Sequence, residues 1–260
     1  MRTEAPQQAI HEVSENGSQL RESVVRASGL SKRYGEGPTA VDALRAVDIA
    51  FETGTFTAIM GPSGSGKSTL LHILAGLERP TAGTVEIAGR ELAKLSDRQL
   101  TLMRREEVGF VFQTYNLLPV LTAEENITLP LDIGGESPDR EWLDTLIGAM
   151  GISDRRDHRP DEMSGGEQQR VAVARALIGR PAVVFADEPT GNLDSVSSQE
   201  ILSLLRRAVD EFAQTIVMVT HDPRAAAIAD RIVFIADGMV VDDATGMSVE
   251  AILDHLKALA

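Results

Sequence analysis

Gly61-Pro62-Ser63-Gly64-Ser65-Gly66-Lys67-Ser68 fits the phosphate-binding pattern G-x-x-x-x-G-K-[ST], and its neighbours decide what the pattern means. The apolar run Thr57-Ala58-Ile59-Met60 comes before it and predicts a short strand. Ser68-Thr69-Leu70-Leu71-His72-Ile73-Leu74-Ala75 comes after it and predicts a helix. A strand that feeds a glycine-rich loop and leaves it as a helix aims backbone N–H groups and the positive helix end at one point. The glycines let the main chain wrap phosphate oxygens closely, Lys67 sets a point charge on the outer phosphates, and the Ser68 hydroxyl can ligate Mg²⁺. The expected ligand is a nucleoside triphosphate, with Gly61, Ser63, Gly64, Gly66, Lys67, Ser68 and Thr69 as its cradle.

With 260 residues, the chain can bury a full core as one large domain or as a domain with a subdomain. No apolar run approaches the roughly 18 residues of a membrane span. Residues 1–23 are polar and mixed in charge, lack the apolar stretch of a signal peptide, and read as a disordered tail. The absence of cysteine excludes disulfides, thiolate metal sites and thiol catalysis. A net charge of −14 argues against nucleic acid as a partner, since that would call for a basic stripe. The local basic cluster Arg155, Arg156 and Arg159 is expected to pair with carboxylates.

Short apolar runs alternate with helical stretches, as in an α/β protein with a largely parallel sheet. Strands are predicted at 24–27, 46–51, 57–60, 84–87, 108–112, 183–186, 216–220, 232–236 and 239–242. Helices are predicted at 68–77, 141–150, 166–179, 197–212, 224–229 and 249–259. The early strands have no helices between them and form a small antiparallel layer. The interval 117–166 reads as an inserted helical subdomain, with turn signals at Gly134-Gly135 and Ser137-Pro138. The nucleotide-binding domain is placed at 24–243, its core at 24–113 and 173–243 and the subdomain at about 114–172, with a C-terminal helix over 244–260.

Four of the apolar strands run directly into polar residues. Met60 leads into the phosphate loop, Phe112 into Gln113, Ala186 into Asp187-Glu188-Pro189, and Thr220 into His221-Asp222-Pro223. In open α/β sheets, ligands bind beyond the carboxyl ends of parallel strands, so four polar endings at that edge make one site. Each alone could be structural: proline stops a strand, and Asp222-Pro223 is a good helix start. Alternation along a strand gives Asp187 and Glu188 different directions. Asp187 suits Mg²⁺ and Glu188 suits the water that attacks the γ-phosphate.

Ser164-Gly165-Gly166-Glu167 opens the predicted helix over 166–179. A capping box explains Ser164 and Glu167 but leaves the glycines without a role. Glycine forgoes up to about 1 kcal/mol relative to alanine in a helix interior, so two of them suggest a close approach to the backbone. The phosphate loop already serves this chain's own nucleotide, so a second anion site is expected to serve one held by another copy.

Gly61–Ser68, Gln113, Met163-Ser164-Gly165-Gly166-Glu167-Gln168-Gln169-Arg170, Val183–Glu188, Asn192-Leu193-Asp194 and His221 stand in the order of an ATP-binding cassette (ABC) ATPase, which the chain resembles over about residues 24–243. The resemblance implies a P-loop NTPase fold and a head-to-tail homodimer. In it, two ATP molecules lie between the phosphate loop of one subunit and Ser164, Gly165 and Gly166 of the other. It further implies that Tyr34 stacks on adenine and that Gln113 touches Mg²⁺ or the attacking water. Glu188 is then the catalytic base, His221 holds the γ-phosphate, and Asp194 relays across the dimer. With Ser68, Gln113 and Asp187 around Mg²⁺, the cofactors are ATP and Mg²⁺. Met163 departs from the usual leucine, a volume-conserving change. His72, His11, His158 and His255 lack metal-ligand spacing and read as surface or packing residues.

Gln113-Thr114-Tyr115-Asn116-Leu117-Leu118-Pro119, Leu121-Thr122-Ala123-Glu124-Glu125-Asn126 and Glu188–Asp194 resemble the branch serving macrolide exporters, lipoprotein-release systems and antimicrobial-peptide resistance pumps. That resemblance implies a partner, an integral membrane permease, and a place at the cytoplasmic face of the membrane. It also implies work as a mechanical driver of export or extraction, with the apolar residues after Gln113 receiving a permease helix. Subdomain core is the alternative for Leu117, Leu118 and Leu121. Activation of a cell-wall hydrolase through a permease-like partner is the alternative function. A soluble cassette acting on DNA or ribosomes is disfavoured: the interval from Lys67 to Asp187 is too short for the coiled coil of DNA-repair types and lacks heptads, and ribosome-acting types carry two cassettes where this sequence has one. Val249, Ile252, Leu253 and Leu256, at helical spacing, are expected to pack inward.

Overall fold

The computed structural model describes residues 22–259. The polar stretch read as a tail lies outside the described residues as far as residue 21, and Ser23 already opens the first strand. Strands β1 (Ser23–Tyr34), β2 (Val41–Glu52), β4 (Ala82–Ile87) and β5 (Arg90–Glu91) form an antiparallel sheet in the order β2-β1-β4-β5. The other six strands are β3 (Phe56–Met60), β6 (Val108–Phe112), β7 (Val183–Asp187), β8 (Ile216–Val219), β9 (Arg231–Ala236) and β10 (Met239–Thr245). They make a second sheet in the order β10-β9-β3-β8-β7-β6. Its neighbours pair in parallel except for the β10–β9 edge.

Every residue of β3 and β8 is buried, which is why these strands read as unbroken apolar runs: a parallel sheet is covered on both faces. Alternation sends successive residues into different cores. Ile59, Phe185, Val217 and Val233 join one core with Leu30, Leu44 and Phe51 of the antiparallel sheet. Ala58, Met60, Val184, Ala186 and Met218 face the helical side. Helix α1 (Lys67–Leu74) lies between the two sheets, with Leu70, Leu71, Ile73 and Leu74 fully buried.

The helical side holds α3 (Ala123–Gly134), α4 (Arg140–Ala149), α5 (Gly165–Leu177) and α6 (Ser195–Phe212). Leu143, Leu146 and Ile147 of α4 belong to the same apolar cluster as the sheet residues, so this layer has no separate core. The boundary read at residue 172 falls inside the unbroken α5. Helix α2 (Asp97–Glu107), α3 and β5 are elements that the sequence patterns do not predict. Two further helices follow, the short α7 (Pro223–Ala226) and α8 (Val249–Leu259). In α8, Ile252 is buried and Leu256 packs on the core, while Leu253 stays exposed.

Candidate nucleotide site

Register brings the polar strand endings together. Phe112 pairs with Asp187, Asp187 with Val219, and Val219 with Ile59, forming one row across β6, β7, β8 and β3. The next residues out are Gln113, Glu188, Thr220 and Met60, then His221 and Gly61. The four endings therefore share one edge, as the parallel order requires.

The loop from Gly61 to Ser68 closes tightly on its surroundings. A Cβ at Gly61 would lie 1.9 Å from the Ile235 carbonyl oxygen, and one at Gly66 2.3 Å from that of Ala43. Gly66 also has φ of 101°, a left-handed conformation that glycine adopts without strain. The Lys67 ammonium donates to the carbonyls of Gly61 (3.0 Å) and Pro62 (2.7 Å), and burial pushes its pKa down. The Ser65 hydroxyl is buried with no protein partner, an orphan inside the cradle that a phosphate oxygen or water would satisfy. Sequence spacing gives Ser65 no role, and its place in the fold does.

Ser68 Oγ donates to Asp187 Oδ1 at 3.1 Å. A hydroxyl and a carboxylate side by side are the hard oxygen donors that Mg²⁺ takes, so the residues fit that ion. His72 Nε2 lies 3.4 Å from Asp187 Oδ2, and hydrogen bonding to that carboxylate raises the His72 pKa. His72, expected as a surface or packing residue, is half-exposed with its ring against Phe110, and it touches the site as well. The sequence carries a signal for it, because His72 is four residues after Ser68 and so stands on the same helix face.

Glu188 contacts His221 instead: His221 Nδ1 lies 2.9 Å from Glu188 Oε1. The two carboxylates do point to different jobs, but strand alternation is not the cause. β7 stops at Asp187, and Glu188 turns away with φ of 48°. A left-handed non-glycine residue costs on the order of 1 kcal/mol or more, and such strain clusters at functional sites. Gln113 and Asn192 exchange hydrogen bonds, Gln113 Nε2 to Asn192 Oδ1 (3.2 Å) and Asn192 Nδ2 to the Gln113 carbonyl (3.1 Å). Gln169, fully buried, ties this corner together by donating to the carbonyls of Phe112 and Pro189.

Tyr34 stands by its ring, 40 % exposed, with its hydroxyl donating to Glu78 Oε2 at 2.6 Å and Lys32 Nζ 4.9 Å from the ring centroid. Burial first, then Glu78, raises its pKa. Ser164 caps α5: its hydroxyl accepts from the Glu167 N–H, and Glu167 Oε2 accepts from the Ser164 N–H at 2.8 Å. Among the described residues, no hydrogen bond or ion pair joins 164–166 to the 61–68 loop. The two glycines also have neighbours in their own chain. A Cβ at Gly165 would lie 2.6 Å from the Tyr115 hydroxyl, and one at Gly166 2.9 Å from Ser197 Oγ. Both neighbours are side-chain ends that can turn aside, so crowding within the chain does not by itself require glycine at either position. Asp194 caps α6, accepting from Val196 N, Ser197 N and Ser197 Oγ, and these bonds, led by those from Ser197, lower its pKa.

Of the basic cluster, Arg155 pairs with Glu167, and Arg156 with Glu124 and Asp144, as expected; Arg159 makes no ion pair among the described residues. Past Gln113, Leu117 packs on the core, while Leu118 and Val120 are exposed. Among the described residues, no helix is long and apolar enough to cross a membrane.

Comparison with known proteins agrees with this geometry. A family model described as ABC transporter matches residues 44–191. The macrolide export ATP-binding/permease protein of Bdellovibrio bacteriovorus is 44 % identical over 220 residues, covering 85 % of this chain and 34 % of the relative. The chain thus spans about a third of the length of such relatives. The lipoprotein-releasing system ATP-binding protein of Geobacter metallireducens is 44 % identical over 227 residues, covering 85 % of this chain and 99 % of the relative. Among solved structures, a dimeric ATP-binding cassette in a post-hydrolysis state, bound to ADP and Pi, superposes with a TM-score of 0.77 at 39 % identity. That match covers 86 % of this chain and 99 % of the other.

Proposed function

The chain belongs to the ABC transporter family, and from that premise we propose that it is an ATP-hydrolysing subunit that pairs head to tail around two ATP molecules and drives a separate membrane permease. The work is export or extraction, done at the cytoplasmic face of the membrane. The observation that carries this reading is the division of the chemistry. Gly61–Ser68, Gln113, Asp187, Glu188 and His221 share one sheet edge, while Ser164–Gly166 make no bond to it among the described residues. A site completed by a second copy uses both halves. The solved dimeric relative supports pairing, and the lipoprotein-releasing relative, matched over nearly its whole length, supports a subunit distinct from the permease.

In this reading the loop N–H groups and Lys67 hold the β- and γ-phosphates, and Tyr34 receives the adenine. Ser68, Asp187 and Gln113 hold Mg²⁺, which supplies charge neutralisation when bound. Glu188 orients the attacking water and accepts its hydrogen bond; the water oxygen bonds to the γ-phosphorus as the bond to the β–γ bridging oxygen breaks, giving ADP and phosphate. His221 sits between Glu188 and the γ-phosphate, holding both. Asp194, already capping α6, places that turn against the second copy. Leu118 and Val120, exposed beyond Gln113, offer the permease an apolar edge.

The Glu188→Gln chain tests the proposal. It should bind ATP normally, hydrolyse it at least about a hundredfold more slowly, and accumulate as an ATP-dependent dimer in size-exclusion chromatography. Turnover at the normal rate would remove Glu188 from its role, and a chain that stays monomeric with ATP would overturn head-to-tail pairing.

A further inference from the structure

If the start of α5 receives the γ-phosphate of an ATP held by a second copy, the sequence has put an anion in its way. Glu167 stands at the third position of the helix, with Oε2 accepting from both the Ser164 N–H and the Ser164 hydroxyl, each at 2.8 Å. A carboxylate held there repels an incoming phosphate and competes with it for the same hydroxyl proton. The cap does not need the charge, because glutamine at this position closes the same box. Protonation does not relieve the conflict either. The hydrogen bonds from Ser164 and Arg155 lower the Glu167 pKa to about 2, so the group is ionised at any working pH.

What offsets the charge is Arg155. It reaches the other face of the carboxylate, Nε to Oε1 at 2.8 Å, from the short helical turn Ser153–Arg155. The Glu167 side chain is 20 % exposed and Arg155 41 %, so the carboxylate is partly sheltered while water reaches the pair from the arginine side. Neighbouring cations are committed elsewhere: Arg156 to Glu124 and Asp144, and Arg170 to Glu200 at 3.2 Å. Among the described residues, Arg155 is the one cation paired with Glu167. The N–H groups of the first helical turn, at Gly165 and Gly166, have no partner within the helix and point outward from its start.

We propose that Arg155 is a positioning residue for the shared ATP, neutralising Glu167 through Oε1 so that Ser164 and the first N–H groups of α5 can take up the phosphate of a nucleotide bound to the second copy. This rests on the head-to-tail reading. It makes Arg155 necessary only because residue 167 carries a charge, and this separates it from a packing role.

The test uses the full chain in the Glu188→Gln background, with ATP and Mg²⁺, and reads dimer fraction against ATP concentration by analytical ultracentrifugation. Arg155→Ala should raise the half-maximal ATP concentration about tenfold, the scale of one charge-assisted hydrogen bond. Glu167→Gln should stay near the parent, and the Arg155→Ala/Glu167→Gln double variant should return to within about twofold of Glu167→Gln. Binding of a fluorescent ATP analogue to the dilute monomer should be unchanged in all four chains. Arg155→Gln, which keeps a donor without the charge, should behave like Arg155→Ala and replaces it if alanine destabilises the fold. Dimerisation of Arg155→Ala at the parent's ATP concentration, or a double variant as impaired as Arg155→Ala, would overturn the proposal alone. No ATP-dependent dimer in the chain with Arg155 intact would overturn the head-to-tail reading and this proposal with it.

Discussion

His221 Nδ1 and Glu188 Oε1 stand 2.9 Å apart, reaching across from the ends of the adjacent strands β8 and β7. Glu188 leaves its strand in a left-handed conformation, so its carboxylate is aimed by its backbone and held by the imidazole together. His221→Ala removes one of the two constraints. The expected result is a kcat at least about a hundredfold lower with ATP affinity within about threefold of the parent, the split of a group acting on the reacting atoms. Steady-state hydrolysis and equilibrium nucleotide binding check it, and a kcat within about tenfold of the parent would contradict it.

The contact of Ser68 with Asp187 gives a second expectation. Asp187→Asn keeps the shape and removes the charge. The Mg²⁺ concentration for half-maximal hydrolysis should rise about tenfold or more, on the scale of losing a charged metal partner. A Mg²⁺ titration at saturating ATP reads it, and an unmoved midpoint would take Asp187 out of the metal site.

Gly109 sits in β6 where α5 crosses the sheet. A Cβ there would lie 2.3 Å from the Ala176 carbonyl oxygen and 3.0 Å from Val184. Gly109→Ala should therefore overpack this contact by about 1–3 kcal/mol. At about 2–4 °C per kcal/mol for a chain of this size, calorimetry would show a Tm lowered by several degrees. An unchanged Tm would mean that α5 is free to move away from β6.

The carboxylate of Glu167 makes stability depend on acid. Its pKa falls from an ordinary 4.5 to about 2 in the folded chain, so the unfolded chain takes up the proton first. The stabilisation is full above about pH 4.5 and is lost as the pH falls towards 2, and after solvent screening is on the order of 1 kcal/mol. The Tm difference between the parent and Glu167→Gln should shrink as the pH is lowered from about 5 to about 2.5. A difference that stays constant across that range would show the pair to be energetically idle.

The phosphate loop, the four polar strand endings and the α5 capping box are legible in the sequence because each is local: an apolar run, a breaker and a polar residue in fixed order. The missing elements are less so. α2 buries only Met103, so it has almost no apolar face to read, although Ser96 and Gln99 form a capping box that marks its start. α3 holds Pro130 inside it and is capped by Gly135, and both look like breaks in a one-dimensional pattern. Ser65 and Gln169 escape a reading of the sequence because the burial of one and the carbonyls bonded by the other are created only by the fold, whereas the i, i+4 spacing of His72 from Ser68 is a signal that the patterns do carry.

Helix α1 is enclosed by two sheets that fold from distant parts of the chain, and the phosphate loop is its leading end. The first N–H groups of α1 stay open for phosphate, whereas the amides of Leu71, Ile73 and Leu74, under fully buried side chains, cannot reach solvent by local fraying when both covers stay in place. Their hydrogen exchange is tied to opening of the whole molecule, which makes this cradle a rigid mould to which the nucleotide conforms.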